Sequence, residues 1–537
     1  MSRHRRRTPG RGARRRAIVA GAALVAVGVG AGIWLVGGDG AEPEGSRSTR
    51  SPEVTPSPER SYPLSEEPRT IPAVRRHEPA RGPGWRPRTG ARVVVNDDAL
   101  ADEGRLLADE LELDYAGRRD DRRDGDVRLE VGGGGEDDGP ESYTLTVRDG
   151  RVTISAAADA GVFYGTRTLK QAVSGGATAP EGVVTDAPAK PRRGLMLDIA
   201  RKPYPADWIE DRVRELGDLK FNELGLHFSD DQGFRIASET HPEVVSRDHL
   251  TKEQVERIVD LAAERHIEIV PELDSPGHLG AVLDAHPDLR LLDAQGAPVR
   301  GAIDISLPES AALVDELLDE YASLFPGPHW HLGGDEYQAL TVSDPETAYP
   351  RLAAAARERY GAGAGVADLA TGWLDDRAAT VRARDRVPRA WNDGFYRDTE
   401  VPAASDIRVA YWTGKEIGAR QPEEYLDDGR DVVNYNDEFL YYVLGEPQTF
   451  VYPTGRRIYE GWTPRVLRGT EEVPARHDDR VLGAVFAVWG DIPDAQTADE
   501  VAEGIRLPLA ATVQKLWDPD TPRLSWDDFR ALAERLG

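Results

Sequence analysis

Residues 329–337 read H-W-H-L-G-G-D-E-Y. The first four have the pattern of a strand. A glycine pair follows, then two adjacent carboxylates, Asp335 and Glu336. On a regular strand, neighbouring side chains point to opposite faces. Gly333 and Gly334 lift that constraint, because glycine adopts backbone angles closed to other residues. Both carboxylates can then turn toward one cavity. Two acids in one cavity ionise unequally, so one is pushed up and can donate a proton near neutral pH. The plainer alternative is a solvated acid pair at a strand end, and the rest of the chain weighs between the two.

Such a pair needs a scaffold. From Arg192 onward, short apolar strands alternate with amphipathic helices, the rhythm of parallel β/α units. The strands are read at 194–200, 223–229, 268–274, 329–332, 388–391, 407–412, 431–436 and 481–489. Eight parallel strands over such a length predict an α/β fold, a closed (β/α)8 TIM barrel. An open doubly wound sheet competes, but no Gly-x-Gly-x-x-Gly loop follows a first strand. Residues 502–516 and 526–536 read as closing helices.

Active sites of such barrels lie at the C-terminal strand ends. The ends carry Asp198 and Arg201, then His227, Asp230 and Asp231, then Asp274 and His278, then the acid pair. Further on come Trp391 with Asn392 and Asp393, Tyr411 with Trp412, the run from Asn434 to Tyr441, and Trp489 with Asp491. Carboxylates, an arginine and three tryptophans on one rim suit a sugar. Indole faces stack on the C–H faces of sugar rings, charged groups hydrogen-bond hydroxyls, and paired acids cleave glycosidic bonds. For each residue a structural role competes: packing for the tryptophans, helix capping for Asp230 and Asp231, and an ion pair with Asp198 for Arg201. A metal site built from Asp274, His278, His227, Asp335 and Glu336 is the rival chemistry. No His-x-His on the first strand and no His-Glu-x-x-His helix supports it. No metal and no cofactor are expected.

Composition narrows the partners. The 537 residues allow two domains, one of them large. Net charge is −27, although eight arginines and no acid precede Asp39, so the body is more acidic still. Such a body repels nucleic acid and polyanions. There is no cysteine, which excludes disulfides, thiolate metal sites and a cysteine nucleophile.

The chain order is read as follows. Residues 1–16 form a basic cytoplasmic tail. Residues 17–38 form a membrane anchor or signal segment, whose uncharged run 17–36 is long enough to span a bilayer. The basic flank stays inside, so the body is extracytoplasmic, anchored or secreted, with membrane attachment through 17–36. Residues 39–72, rich in Pro, Ser, Glu and Arg, read as a disordered spacer. Residues 73–188 predict a small α+β domain, with strands near 93–95, 127–131, 143–147 and 152–155, an Asp149-Gly150 hairpin turn and a helix at 158–172. Residues 189–537 form the barrel. Oligomeric state is left open.

These motifs resemble glycoside hydrolase family 20, the β-N-acetylhexosaminidases, over roughly residues 70–517. His331-Leu-Gly-Gly-Asp-Glu336 matches the family's H-x-G-G-D-E signature. Asp198-Ile-Ala-Arg201, Ser229-Asp-Asp-Gln-Gly233 and Pro271-Glu-Leu-Asp-Ser-Pro-Gly-His278 match its other strand-end motifs in order. The later segments look like the dispersin and lacto-N-biosidase branch. The resemblance implies an exported retaining enzyme acting on a glycan with a terminal β-linked N-acetylhexosamine. Glu336 would be the general acid/base and Asp335 would hold the 2-acetamido N–H. Tyr441 would donate to the acetamido oxygen, which attacks the anomeric carbon to give an oxazolinium. Trp391, Trp412 and Trp489 would wall the sugar. Arg201 and Asp491 would bind hydroxyls, and Asp230 would position Arg201 or a hydroxyl. Asp274 and His278 would form a relay behind Glu336. Lys202 stands where many members carry His, and Asp491 where many carry Glu, which bears on gluco versus galacto preference. Disaccharide release, cleavage of poly-N-acetylglucosamine and a non-catalytic glycan-binding barrel are the alternatives.

Overall fold

The computed structural model describes residues 61–133, 139–415 and 419–537. The basic tail, the apolar run 17–36 and most of the spacer lie outside these residues. Among the described residues, no helix is long and apolar enough to cross a membrane.

The last part of the expected spacer belongs to the body. Leu64 bridges Arg81, and the Ser65 N–H donates to the Ala80 carbonyl at 3.0 Å. Thr70 and Ile71 are buried, and the Ile71 N–H donates to Gln171 Oε1 at 2.7 Å. Composition misleads at this point because one apolar side chain, Ile71, finds a core to enter.

The small domain is a seven-stranded mixed sheet. In spatial order its strands are Arg76–Pro79, Gly182–Asp186, Tyr143–Arg148, Arg151–Ala156, Val127–Val131, Arg92–Val95 and Asp114–Arg118. Helices Ala101–Glu110 and Asp159–Ala172 accompany it. The hairpin turn has φ of 53° at Asp149 and 70° at Gly150. Positive φ at both central residues matches the twist of the flanking strands. Along Tyr143–Arg148 every second residue is buried, so one face of the sheet feeds the core.

The eight expected barrel strands are all present: Arg192–Asp198, Glu223–His227, Glu268–Glu272, His329–His331, Val387–Trp391, Arg408–Tyr411, Val432–Asn434 and Val481–Trp489. Each pairs in parallel with the next. The eighth pairs with both the first and the seventh, which closes the barrel. A short strand that sequence did not separate, Tyr441–Val443, pairs in parallel with the end of the eighth, Tyr441 opposite Ala487 and Val443 opposite Trp489.

The two domains share buried polar contacts around the strand starts. Trp517, on the long helix Ala498–Trp517, sits in the small domain's core and donates from Nε1 to Asp186 at 2.9 Å. Arg193, at the start of the first barrel strand, is bidentate to Glu141 at 2.8 and 2.9 Å. The small domain thus holds the strand starts, and the strand ends are left to carry chemistry.

Candidate active site

At the end of the fourth barrel strand the backbone turns through Gly333 (φ 66°) and Gly334 (φ 100°). A Cβ on Gly333 would lie 1.7 Å from Asp274 Oδ1. The Gly334 N–H donates to that same oxygen at 2.8 Å. The glycine pair is required both for its angles and for the space Asp274 occupies.

The two carboxylates then converge. His278 Nε2 lies 3.6 Å from Asp335 Oδ2 and 3.5 Å from Glu336 Oε2. Asp335 is mostly buried, with 14% of its side chain exposed, whereas Glu336 is 56% exposed. Both line a cavity of about 370 Å³ together with Arg201, Asp230, Asp274 and His278. Trp412, Tyr441, Trp489 and Asp491 complete the part that sequence foresaw. A larger cavity of about 1020 Å³ lies where the small domain meets outer helices, and its lining includes Trp208 and Arg506 but neither member of the acid pair.

Two expected roles change. Trp391 does not line the cavity. It is 1% exposed, donates from Nε1 to Glu272 at 2.7 Å, and packs behind Trp489 with ring centroids 5.9 Å apart. The partner of His278 also differs. His278 Nδ1 is 3.3 Å from Asp230 Oδ2, so the residue behind the histidine is Asp230, not Asp274. That oxygen is also 3.0 Å from His227 Nε2 and 2.7 Å from an Arg201 nitrogen. Neither Asp230 nor Asp231 is the N-cap residue of a helix that follows it. Asp231 accepts the first N–H of the distant helix Gly280–Ala285, that of Gly280, at 2.9 Å. Arg201 does pair with Asp198 at 2.9 Å, yet it also faces the cavity, 5.3 Å from the Trp489 ring centre.

The charges are unequal, as two acids in one cavity require. Burial raises Asp335. Burial, and then the charge of Asp335, raises Asp274 well above the carboxylate range. Of the two, Asp274 is raised further. Glu336 goes the other way, held below its usual range chiefly by the His278 imidazole 3.5 Å away. The member of the adjacent pair that is pushed up is therefore Asp335. Burial opposes a charge on His278, but the carboxyls of Asp335, Asp230, Glu336 and Asp274 outweigh it and raise the imidazole. Asp230 is driven far down, because His227, His278 and Arg201 overcome its burial.

Several contributors carried no separate signal. Glu272, beneath the cavity, lies 3.2 Å from His227 Nδ1 and 3.3 Å from His331 Nδ1, besides holding Trp391. Asp393 accepts the Glu336 backbone N–H and the Trp412 indole N–H, each at 3.0 Å. Both stand inside strand-end motifs, which is the signal that could have marked them. Lys415, paired to Asp437 at 2.6 Å, and residues 448–450 also line the cavity from loops with no motif. The cluster Asp274, His278 and Asp335 brings ligand atoms within 4.8 Å of one another, a spacing compatible with a metal ion.

The family model described as "Glycosyl hydrolase family 20, catalytic domain" matches residues 191–517, and that for its "domain 2" matches 67–187. A lacto-N-biosidase of Bifidobacterium bifidum is 29% identical over 84% of this chain, which spans only 41% of that protein's length. A β-hexosaminidase of Akkermansia muciniphila is 32% identical over 73% of this chain and 82% of its own length. A solved family 20 β-N-acetylhexosaminidase from Streptomyces coelicolor superposes with a TM-score of 0.69 at 24% identity, covering 88% of this chain and 96% of that one. By these matches, along a barrel and rim that agree with them, the chain belongs to glycosyl hydrolase family 20 and is a glycoside hydrolase.

Proposed function

We propose that the protein is an exported, retaining β-N-acetylhexosaminidase that works by substrate assistance. One observation carries this reading: Asp335 and Glu336, neighbours in sequence, converge on the single nitrogen His278 Nε2. Acids placed so close together do not flank a sugar ring from opposite faces, as two carboxylates that attack and protonate would. An internal nucleophile on the sugar removes that requirement.

Each group then has one task. Asp335 accepts the acetamido N–H while Asp274, the more strongly raised acid, stays protonated. The buried Tyr441 hydroxyl donates to the acetamido oxygen, which attacks the anomeric carbon. As that bond forms, the bond to the leaving oxygen breaks and Glu336 gives that oxygen a proton. Water, losing a proton to Glu336, then opens the oxazolinium with net retention. A sugar seated on the rim strips water from the exposed Glu336, and burial raises a carboxyl. That corrects the low proton affinity of the open site. His278, held as a cation, is the nearest proton source. Arg201 and Asp491 face the hydroxyls at the far side, and Trp412 and Trp489 supply apolar walls.

Glu336→Gln should slow release of a sugar leaving group from a β-N-acetylglucosaminide by about 10²–10⁴-fold while the fold persists. Full activity in that variant would sink the assignment. A second reading, release of a disaccharide, draws support from the similarity to a lacto-N-biosidase and from a cavity wall that continues onto residues 448–450. Mass analysis of products from a glycan panel separates the two. Export rests on the basic cluster and the apolar run 17–36. Recovery of the whole chain in the cytoplasmic fraction would refute it.

A further inference from the structure

A second cluster of ligand-type side chains stands apart from the cavity. His241 precedes the short turn Pro242–Val244, which contains Glu243. His286 directly follows helix Gly280–Ala285. His241 Nδ1 lies 2.9 Å from Glu243 Oε1, and His286 Nε2 lies 3.0 Å from that same oxygen. The ligand atoms of the three residues are all within 4.8 Å of one another. None of the three lines the catalytic cavity.

We propose that His241, Glu243 and His286 form a binding site for a divalent transition-metal ion of the zinc type. Two imidazoles and a carboxylate are a zinc donor set, and imidazole favours that class over calcium or magnesium. Ligand atoms belong about 2.1 Å from such an ion.

The surroundings of His241 carry the argument further. Its other nitrogen, Nε2, lies 2.9 Å from Glu316 Oε2. A neutral imidazole has only one N–H. With carboxylates on both nitrogens, a metal ion on Nδ1 would leave the N–H on Nε2 to donate to Glu316. A metal-bound histidine typically donates its remaining N–H to a carboxylate, which orients the ring. Glu316, reaching over from helix Pro308–Tyr321, stands where that partner belongs. Each histidine is followed by a proline, which narrows the backbone before it. The two histidine backbones share nearly one conformation, φ −130°, ψ 62° and φ −121°, ψ 61°. Among the described residues two other ligand-type clusters exist, Glu103 with Asp159 and His266, and the catalytic Asp274, His278 and Asp335. Each has a single imidazole, so the site with two is the stronger zinc ligand.

The position gives the ion a task. The chain before His241 carries Asp230, and the chain before His286 carries His278. An ion joining the two histidines would tie together the loops that bring Asp230 and His278 to 3.3 Å. Its effect would be on stability, not on the chemical step.

The test uses the full chain after treatment with a chelator and dialysis. Titration with Zn2+ followed by calorimetry should show one ion bound per chain, with a rise in melting temperature. Both should be lost in His286→Ala and in His241→Ala. Glu316→Gln should weaken binding by about 10–100-fold. Hydrolysis of the aryl glycoside at room temperature should persist in His286→Ala, which also shows that the variant folds. Zinc uptake equal in wild type and His286→Ala, or no uptake by the wild type, would overturn the site and reduce the cluster to an ion-pair network. Either outcome is independent of the Glu336→Gln result.

Discussion

The backbone N–H of Glu336 donates to Asp393 Oδ2 at 3.0 Å, across from the fourth barrel strand to the loop after the fifth. The other oxygen of Asp393 holds the indole N–H of Trp412, also at 3.0 Å. One carboxyl therefore sets the acid's backbone and the tilt of an aromatic wall. Glu336 itself has φ of 47°. That left-handed conformation costs about 1–2 kcal/mol in a residue with a Cβ, so a fixed partner on its N–H is needed. The segment has no slack, because a Cβ on Gly394 would come 2.8 Å from the Gly334 carbonyl oxygen.

Asp393→Asn keeps the shape but turns one acceptor oxygen into a donor, so one of the two hydrogen bonds is lost. We expect kcat to fall about 10–100-fold, with a smaller change in KM, as small misplacements of catalytic groups do. Burial, then the charge of Asp335, pushes Asp393 up to about 7. Its ionisation strengthens both hydrogen bonds, so kcat/KM of the wild type should rise through neutral pH and the variant should lack that limb. The stability sign is opposite. A carboxyl near 3.9 when unfolded and near 7 when folded favours folding while protonated, and that stability is lost as pH rises through about 7. The stability gap between wild type and variant should therefore narrow with rising pH. Identical pH profiles for the two proteins would remove Asp393 from the machinery.

Leaving-group dependence separates the two acids. Glu336→Gln removes protonation of the leaving oxygen, worth about 10²–10⁴-fold. The loss should be larger for an alkyl or sugar leaving group than for an aryl one that departs without help. Asp335→Asn misorients the acetamido group, so its loss should be similar for both substrates. Matching leaving-group profiles for the two variants would contradict the division of labour.

Two glycines with similar angles should respond differently to alanine. Gly333 has φ of 66° and no room beside Asp274, whereas Gly150 has φ of 70° and nothing within 4 Å of a Cβ. Gly150→Ala should cost about 1–2 kcal/mol of conformational strain alone. Gly333→Ala adds a clash of about 1–3 kcal/mol and displaces Asp274. Denaturant unfolding should show the larger loss at Gly333, with activity lost there and retained at Gly150.

Acid stability should report a pair in the barrel interior. Arg389 holds Glu223 in two contacts, one of them at 3.0 Å, and both residues are fully buried. Burial opposes the charge, but Arg389 outweighs it and lowers Glu223 to about 2. The unfolded value is about 4.3, so this stability is complete above that pH and is lost as pH falls toward 2. Glu223→Gln should flatten that part of the curve. It should also cost about 3–5 kcal/mol at neutral pH by leaving Arg389 unpaired. An unchanged acid limb in thermal melts would show that the pair does not govern it.

The amino-acid sequence alone determined the barrel and the identity of its rim. Parallel strands covered on both faces read as short apolar runs, and polar motifs at their ends stand out against them. The Asp149-Gly150 turn was equally legible, because its angles admit few residues. The edge strands Arg76–Pro79 and Asp114–Arg118 were not, since half-covered strands keep no apolar alternation. The tertiary structure alone decided that His278 meets Asp230, that Trp391 goes beneath the cavity, that Asp393 bridges Glu336 and Trp412, and that Asp335 is the raised member of the acid pair. Spacing along the chain places a residue on a strand end. Which neighbour it touches there depends on a few ångströms of separation between strands far apart in sequence, and hydrogen bonds and ionisation follow those distances.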